Sequence, residues 1–110
     1  MVAPSIGAVV LVPFPFTDLS SSKLRPAVVL ADAARGDWIL CQVTSNPYAD
    51  PRALELHAAD FHQGSLHRAS YARPSRLFTA QQRILVARVA QLSDAAFSRL
   101  IDAVIKVFRP

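Results

Sequence analysis

The sequence predicts a mostly β domain finished by a single C-terminal α-helix. Three observations carry that expectation. Short β-branched apolar runs recur along the first nine-tenths of the chain, prolines punctuate them, and a helical apolar period appears only at the end. Residues 1–110 read as one domain, because a chain of 110 residues has room for one core.

Gly7 to Val12 is the first expected strand, stopped by Pro13-Phe14-Pro15-Phe16, where neither proline can donate to a ladder. Thr17 to Lys23 is polar and Ser-rich and reads as an exposed loop. Pro26 to Leu30 is the second strand, with proline expected only at its start, and Ala31 to Gly36 is a turn. Asp37 to Thr44 is the third strand; Trp38, Leu40 and Gln42 fall on one face and Ile39, Cys41 and Val43 on the other. Asn46-Pro47 breaks it.

Arg52 to Leu56 reads as a short edge strand and Ala58 to His67 as loop. Ser70 to Thr79 is a fifth strand interrupted by Pro74, and Arg83 to Gln91 a sixth. Ser93-Asp94 is a helix start signal. After it Phe97, Leu100, Ile101, Val104, Ile105 and Phe108 recur at helical spacing. Six strands followed by one helix imply a small, twisted, partly closed barrel rather than a βαβ fold.

Composition narrows the function. Hydrophobic residues make up 52% and charged residues 18%, which excludes a disordered chain and leaves apolar surface for a further face such as a dimer contact. No apolar run approaches the roughly 18 residues of a membrane span, and Met1 to Gly7 lacks the basic start of a secretory signal. The lone Cys41, in an apolar strand, forms no intrachain disulfide and reads as a small core residue. A cytoplasmic location follows as the expectation. The net charge is +4, and arginine supplies most of the basic residues; its planar fork suits phosphates and bases, so nucleic acid is a permitted partner.

Several chemistries are set aside. Three glycines cannot build a phosphate-binding glycine loop, so no nucleotide cofactor is expected. His57, His62 and His67 recur every five residues without a cysteine pair or carboxylate triad, so no metal site is expected. Ser20-Ser21-Ser22-Lys23 matches a serine–lysine acyl-transfer pattern, but the companion motifs are missing. What remains is Arg25 at the start of the second strand and Thr44 at the end of the third. In an antiparallel pair those positions share one rim. A permanent cation and a hydroxyl there suit a phosphate whose charge grows in the transition state. From spacing alone, a surface arginine flanking a strand is the plainer reading.

The text of the chain adds to this. Gly7-Ala8-Val9-Val10-Leu11-Val12-Pro13-Phe14, Arg25-Pro26-Ala27-Val28-Val29-Leu30, Cys41-Gln42-Val43-Thr44-Ser45 and Ser70-Tyr71-Ala72-Arg73-Pro74-Ser75-Arg76-Leu77 together resemble the MazF/PemK family of toxins of type II toxin–antitoxin systems. The resemblance runs over nearly the whole chain. It implies an SH3-like barrel of the CcdB/MazF type and a homodimer. It also implies metal-independent, sequence-selective cutting of single-stranded RNA to a 2′,3′-cyclic phosphate and a 5′-hydroxyl, and a cognate antitoxin as partner. The family's catalytic arginine and threonine match Arg25 and Thr44, and Ser45 stands in the same motif. Arg76 matches an arginine common in its segment. Lys23, Phe16 and Arg73 join Ser45 and Arg76 as candidate RNA contacts, with solvated strand-edge charge as the alternative for Arg73 and Arg76.

Arginine is effectively always protonated, so Arg25 is expected to stabilise charge while Thr44 holds a non-bridging oxygen; the proton acceptor stays unassigned between His62, His67 and neither. Two departures from many relatives, Ser20-Ser21-Ser22-Lys23 before Arg25 and Arg73-Pro74 in place of Asp-Gln, make the groove more basic. Two other functions are kept open: a gyrase poison like the CcdB toxins, against which the Val107-Phe108-Arg109-Pro110 end speaks, and a catalytically silent barrel that binds RNA or an antitoxin.

Overall fold

The computed structural model describes residues 4–15 and 22–110. Phe16, and the part of the expected loop from Thr17 to Ser21, lie outside the described residues. The order of elements is β1 (Ala8–Pro15), β2 (Ser22–Ala34), β3 (Asp37–Thr44), β4 (Leu54–Leu56), a 3₁₀ turn (Ala58–Asp60), β5 (Phe61–Gly64), β6 (Ser70–Gln81), a second 3₁₀ turn (Gln82–Ile84), β7 (Ala87–Leu92) and α1 (Asp94–Phe108). The strands form one antiparallel sheet in the order β4-β6-β3-β2-β1-β7-β5, curled into a half-barrel.

Strict alternation along the central strands explains the curl. Val9, Val28, Cys41 and Val43 enter one core with Ala96 and Leu100 of α1, while Val10, Val12, Val29 and Leu40 enter a second core with Ala80 and Leu85. A sheet with two apolar faces must cover both. The helix covers one. The sheet's own bend, with the turn before β7, closes the other. Trp38 and Phe78 pack against this second core as half-buried residues. The faces expected for β3 are the faces observed.

The helix starts where expected: Ser93 Oγ accepts from the Ala96 N–H at 3.1 Å. Asp60 ties the helix to the sheet edge. It is buried, accepts from the His57 N–H at 2.7 Å, and accepts from the Arg99 guanidinium. Burial pushes its carboxyl up, but the His57 N–H and the Arg99 guanidinium outweigh that and hold it below the usual range.

Several expectations change. The described residues form seven strands, not six, because Phe61–Gly64, expected as loop, pairs with β7. Gly64 makes that possible: its φ is +69°, and an added Cβ would stand 2.3 Å from the Val89 carbonyl oxygen. The second strand is longer at both ends than Pro26–Leu30. Pro26 sits inside it because the β2–β3 ladder begins only at Ala27↔Gln42, which makes Pro26 an edge-like position. The turn expected over Ala31–Gly36 shrinks to Arg35-Gly36. Both residues have positive φ, 58° and 81°, as a tight hairpin matched to strand twist requires. The strand expected over Arg83–Gln91 begins only at Ala87, after the 3₁₀ turn, and the edge strand expected from Arg52 begins at Leu54.

Pro74 interrupts β6 as expected. Val43 pairs with Ala72 but Cys41 with Leu77, so residues 73–76 bulge from the ladder.

Candidate active site

Antiparallel register brings the start of β2 to the end of β3. The β1–β2 pairing sets Arg25 opposite Val12, and the β3–β6 pairing sets Thr44 opposite Tyr71. Between them opens a cleft of about 290 Å³, lined by Lys23 and Arg25 from β2, Thr44 and Ser45 from the end of β3, and His67 and Arg68 from the segment before β6. Its floor is apolar, including Leu11, Pro26, Val43 and Leu66. Among the described residues lining it there is no carboxylate, and Lys23, Arg25 and Arg68 give that lining a positive character.

Four of the residues expected from the sequence therefore share one cavity: Lys23, Arg25, Thr44 and Ser45. Arg25 is half-buried at the rim, and Lys23 and Ser45 are exposed. Thr44 is 5% exposed, and its hydroxyl is already engaged. It donates to the Asn46 carbonyl at 3.0 Å and accepts from the Asn46 N–H at 3.1 Å, the local turn that ends β3. A hydroxyl has one proton. To donate to a ligand oxygen Thr44 must swing it from Asn46, whereas Ser45 beside it is open to the cleft.

Arg73 and Arg76 do not line the cleft. Arg76 is exposed on the bulged stretch of β6. Arg73 is largely spent on the β3–β4 connection. Its Nε donates to Asp50 Oδ2 at 3.0 Å, and its guanidinium lies over the Tyr48 ring, 5.5 Å from the centroid. Asp50 also accepts from the Arg52 N–H at 2.9 Å. The Arg52 N–H first, and the Arg73 guanidinium next, hold its carboxyl below the usual range. The alternation of β6 carried no warning of this ion pair, because its acid lies 23 residues upstream in a loop.

Arg68 is the cleft residue that sequence reasoning passed over. It follows His67 in a segment without period, and a basic residue next to a polar ring just before a strand was its only signal. Ser70 pins this segment: buried at the start of β6, its hydroxyl donates to the Arg68 carbonyl at 2.9 Å. His62 lies elsewhere, in a pocket with Gln91, Ser93 and Asp94, and His57 stands 3.5 Å from Glu55. Among the described residues no three of His, Cys, Asp and Glu gather as metal ligands, and no helix is long and apolar enough to cross a membrane.

The fold has close counterparts. MazF from Deinococcus radiodurans superposes with a TM-score of 0.76 at 21% identity, over 100% of both chains. A MazE–MazF structure from the same organism gives 0.77 at 19% identity, over 98% of this chain and 97% of that one. A mycobacterial endoribonuclease in complex with its cognate antitoxin gives 0.74 at 13% identity, over 98% and 95%. No match was found among curated protein sequences. A family model described as "PemK-like, MazF-like toxin of type II toxin-antitoxin system" matches residues 5–108. With its half-barrel, its terminal helix and that match over nearly its whole length, the chain belongs to the PemK-like, MazF-like toxin family of type II toxin–antitoxin systems.

Proposed function

We propose that this toxin is an endoribonuclease that cuts single-stranded RNA at the β2–β3 rim, without a metal ion. The observation that carries the reading is the cleft in which Arg25 and Thr44 stand together with Lys23 and Arg68. Such a lining attracts a polyanion and favours a group whose negative charge increases during reaction.

In this reading the ribose 2′-oxygen attacks the adjacent phosphorus and the 5′-oxygen leaves, giving a 2′,3′-cyclic phosphate and a 5′-hydroxyl. Arg25, permanently charged, lowers the barrier by stabilising the phosphorane oxygens. Thr44 contributes its proton to a non-bridging oxygen after releasing the Asn46 carbonyl, exchanging one hydrogen bond for another. Ser45, Lys23 and Arg68 hold the flanking backbone. Arg76 stays a candidate contact for RNA outside the cleft, and Phe16 stays a candidate RNA contact. For Arg73 we favour a structural role, on the strength of its pairing with Asp50. We also take the chain to act in the cytosol as a homodimer, silenced by an antitoxin whose acidic segment covers the basic cleft, as expected for a segment that orders on binding.

The test is incubation of the purified chain with a long single-stranded RNA in EDTA, followed by mapping of the ends. Discrete cuts with cyclic-phosphate ends, abolished in Arg25→Ala, support the reading. Cutting that persists unchanged in Arg25→Ala, or that needs an added divalent ion, overturns it.

A further inference from the structure

We propose that His67 is the general base that takes the proton from the attacking 2′-hydroxyl. The inference rests on the ribonuclease reading above and supplies the proton acceptor that Arg25 and Thr44 do not provide. Three observations lead to it. Of the three histidines, His67 alone lines the cleft that holds Arg25 and Thr44. Among the described polar side chains lining that cleft, it alone carries a ring nitrogen whose lone pair can receive a proton. The groups facing it from β2 are the cations Lys23 and Arg25, its own segment adds Arg68, and β3 and β6 contribute only the hydroxyls of Thr44, Ser45 and Ser70.

The third observation is mechanical. His67 is exposed, so its ring meets whatever fills the cleft, yet its segment is held on both sides. Leu66 packs against the helix-side core. Ser70 is buried, paired with Leu56 across the sheet, and bonded to the Arg68 carbonyl. A base on a short anchored segment stays within reach of a fixed phosphate, which is what proton transfer in a transition state needs.

The step balances without any further reagent than water. An unprotonated ring nitrogen of His67 takes the 2′-hydroxyl proton. The freed electron pair forms the O2′–P bond, and the P–O5′ bond breaks with its pair on O5′. That oxygen takes a proton from water, and the hydroxide so formed removes the proton from the imidazolium, returning it to the neutral ring.

The experiment compares wild type, His67→Ala, His67→Gln and the control His62→Ala on single-stranded RNA in EDTA across a range of pH. Affinity for a 2′-O-methyl RNA, which has no proton to give and is not cut, is measured beside the rates. Loss of the base is expected to slow cutting by roughly 10²- to 10⁴-fold. The slope on the acid side of the wild-type profile should vanish in both His67 variants, and affinity for the 2′-O-methyl RNA should stay within about threefold. Added imidazole should restore part of the rate in His67→Ala, and His62→Ala should behave as wild type. If Arg25→Ala is dead but His67→Ala and His67→Gln cut at the wild-type rate, or keep its acid slope, this inference is overturned and the ribonuclease reading stands. If the wild type itself does not cut, both fall. Should His67→Ala fail to fold, the His67→Gln profile decides.

Discussion

Replacing Asp50 with alanine removes the carboxylate that pairs with Arg73. The size of the effect follows from where the pair sits. The two side chains are 8% and 12% exposed, so water does not screen them as it does an ordinary surface pair. Exposed pairs contribute about 0–1 kcal/mol, and breaking a deeply buried pair costs about 3–5 kcal/mol. This pair lies in a loop beside the exposed Tyr48, and water can reach the orphaned guanidinium once Asp50 is gone. A cost of about 2–3 kcal/mol is therefore expected, close to that of one charge-assisted hydrogen bond. With a urea slope of roughly 1.5 kcal/mol/M the unfolding midpoint should fall by about 1.3–2 M. Urea melts at one fixed protein concentration, with Arg73→Met and the double variant completing a cycle, isolate the coupling. Asp50→Asn adds a pH signature. Because the folded carboxyl is held below the ordinary 3.8, its contribution is full above that value and disappears as pH falls through the lower folded value. The gap between wild type and Asp50→Asn should thus be constant near neutrality and narrow only in acid. A midpoint shift under about 0.3 M, or a gap that widens in acid, would refute a buried pair of this strength.

Three further outcomes are expected. Gly64→Ala forces a Cβ against the Val89 carbonyl at a positive φ and should destabilise by more than about 1 kcal/mol, with amide exchange accelerated along β5 and the facing residues of β7. Cys41 is buried and its thiol is pushed up to about 12, first by burial, so it should resist a thiol reagent at pH 8 in the folded chain and react at once in denaturant. Arg35→Asn, in the β2–β3 turn at a φ of +58°, should raise stability by about 0.5 kcal/mol in a thermal melt, since asparagine tolerates that backbone better than arginine.

Much of the sheet was legible because its central strands are regular. Asp37–Thr44 matches its expected bounds because it alternates between two apolar cores and stops at Asn46-Pro47. The helix was legible from Ser93 and one period. Phe61–Gly64 was not, since its pairing is supplied by β7 and by a glycine conformation rather than by its own composition. That Arg25 and Thr44 share a rim was legible, because antiparallel pairing carries strand ends together; the roles expected of them came from the family resemblance, since spacing alone favoured a surface arginine. Arg68 and the pairing of Arg73 with Asp50 were not legible, because each depends on where an irregular segment lies across the sheet.

The hairpin that joins β2 to β3 turns at Arg35-Gly36, at the far end of both strands from the cleft. Opening the backbone at that exposed tip leaves Arg25 on one fragment and Thr44, Ser45 and His67 on the other, so neither piece holds a whole cleft. Each fragment keeps one strand of the ladder that runs from Ala27↔Gln42 to Ala34↔Asp37, apolar at its centre, a built-in adhesive for rejoining. The chain is thus laid out as a two-part lock: fused to two proteins that meet, its halves would reconstitute the cleft only where that meeting occurs.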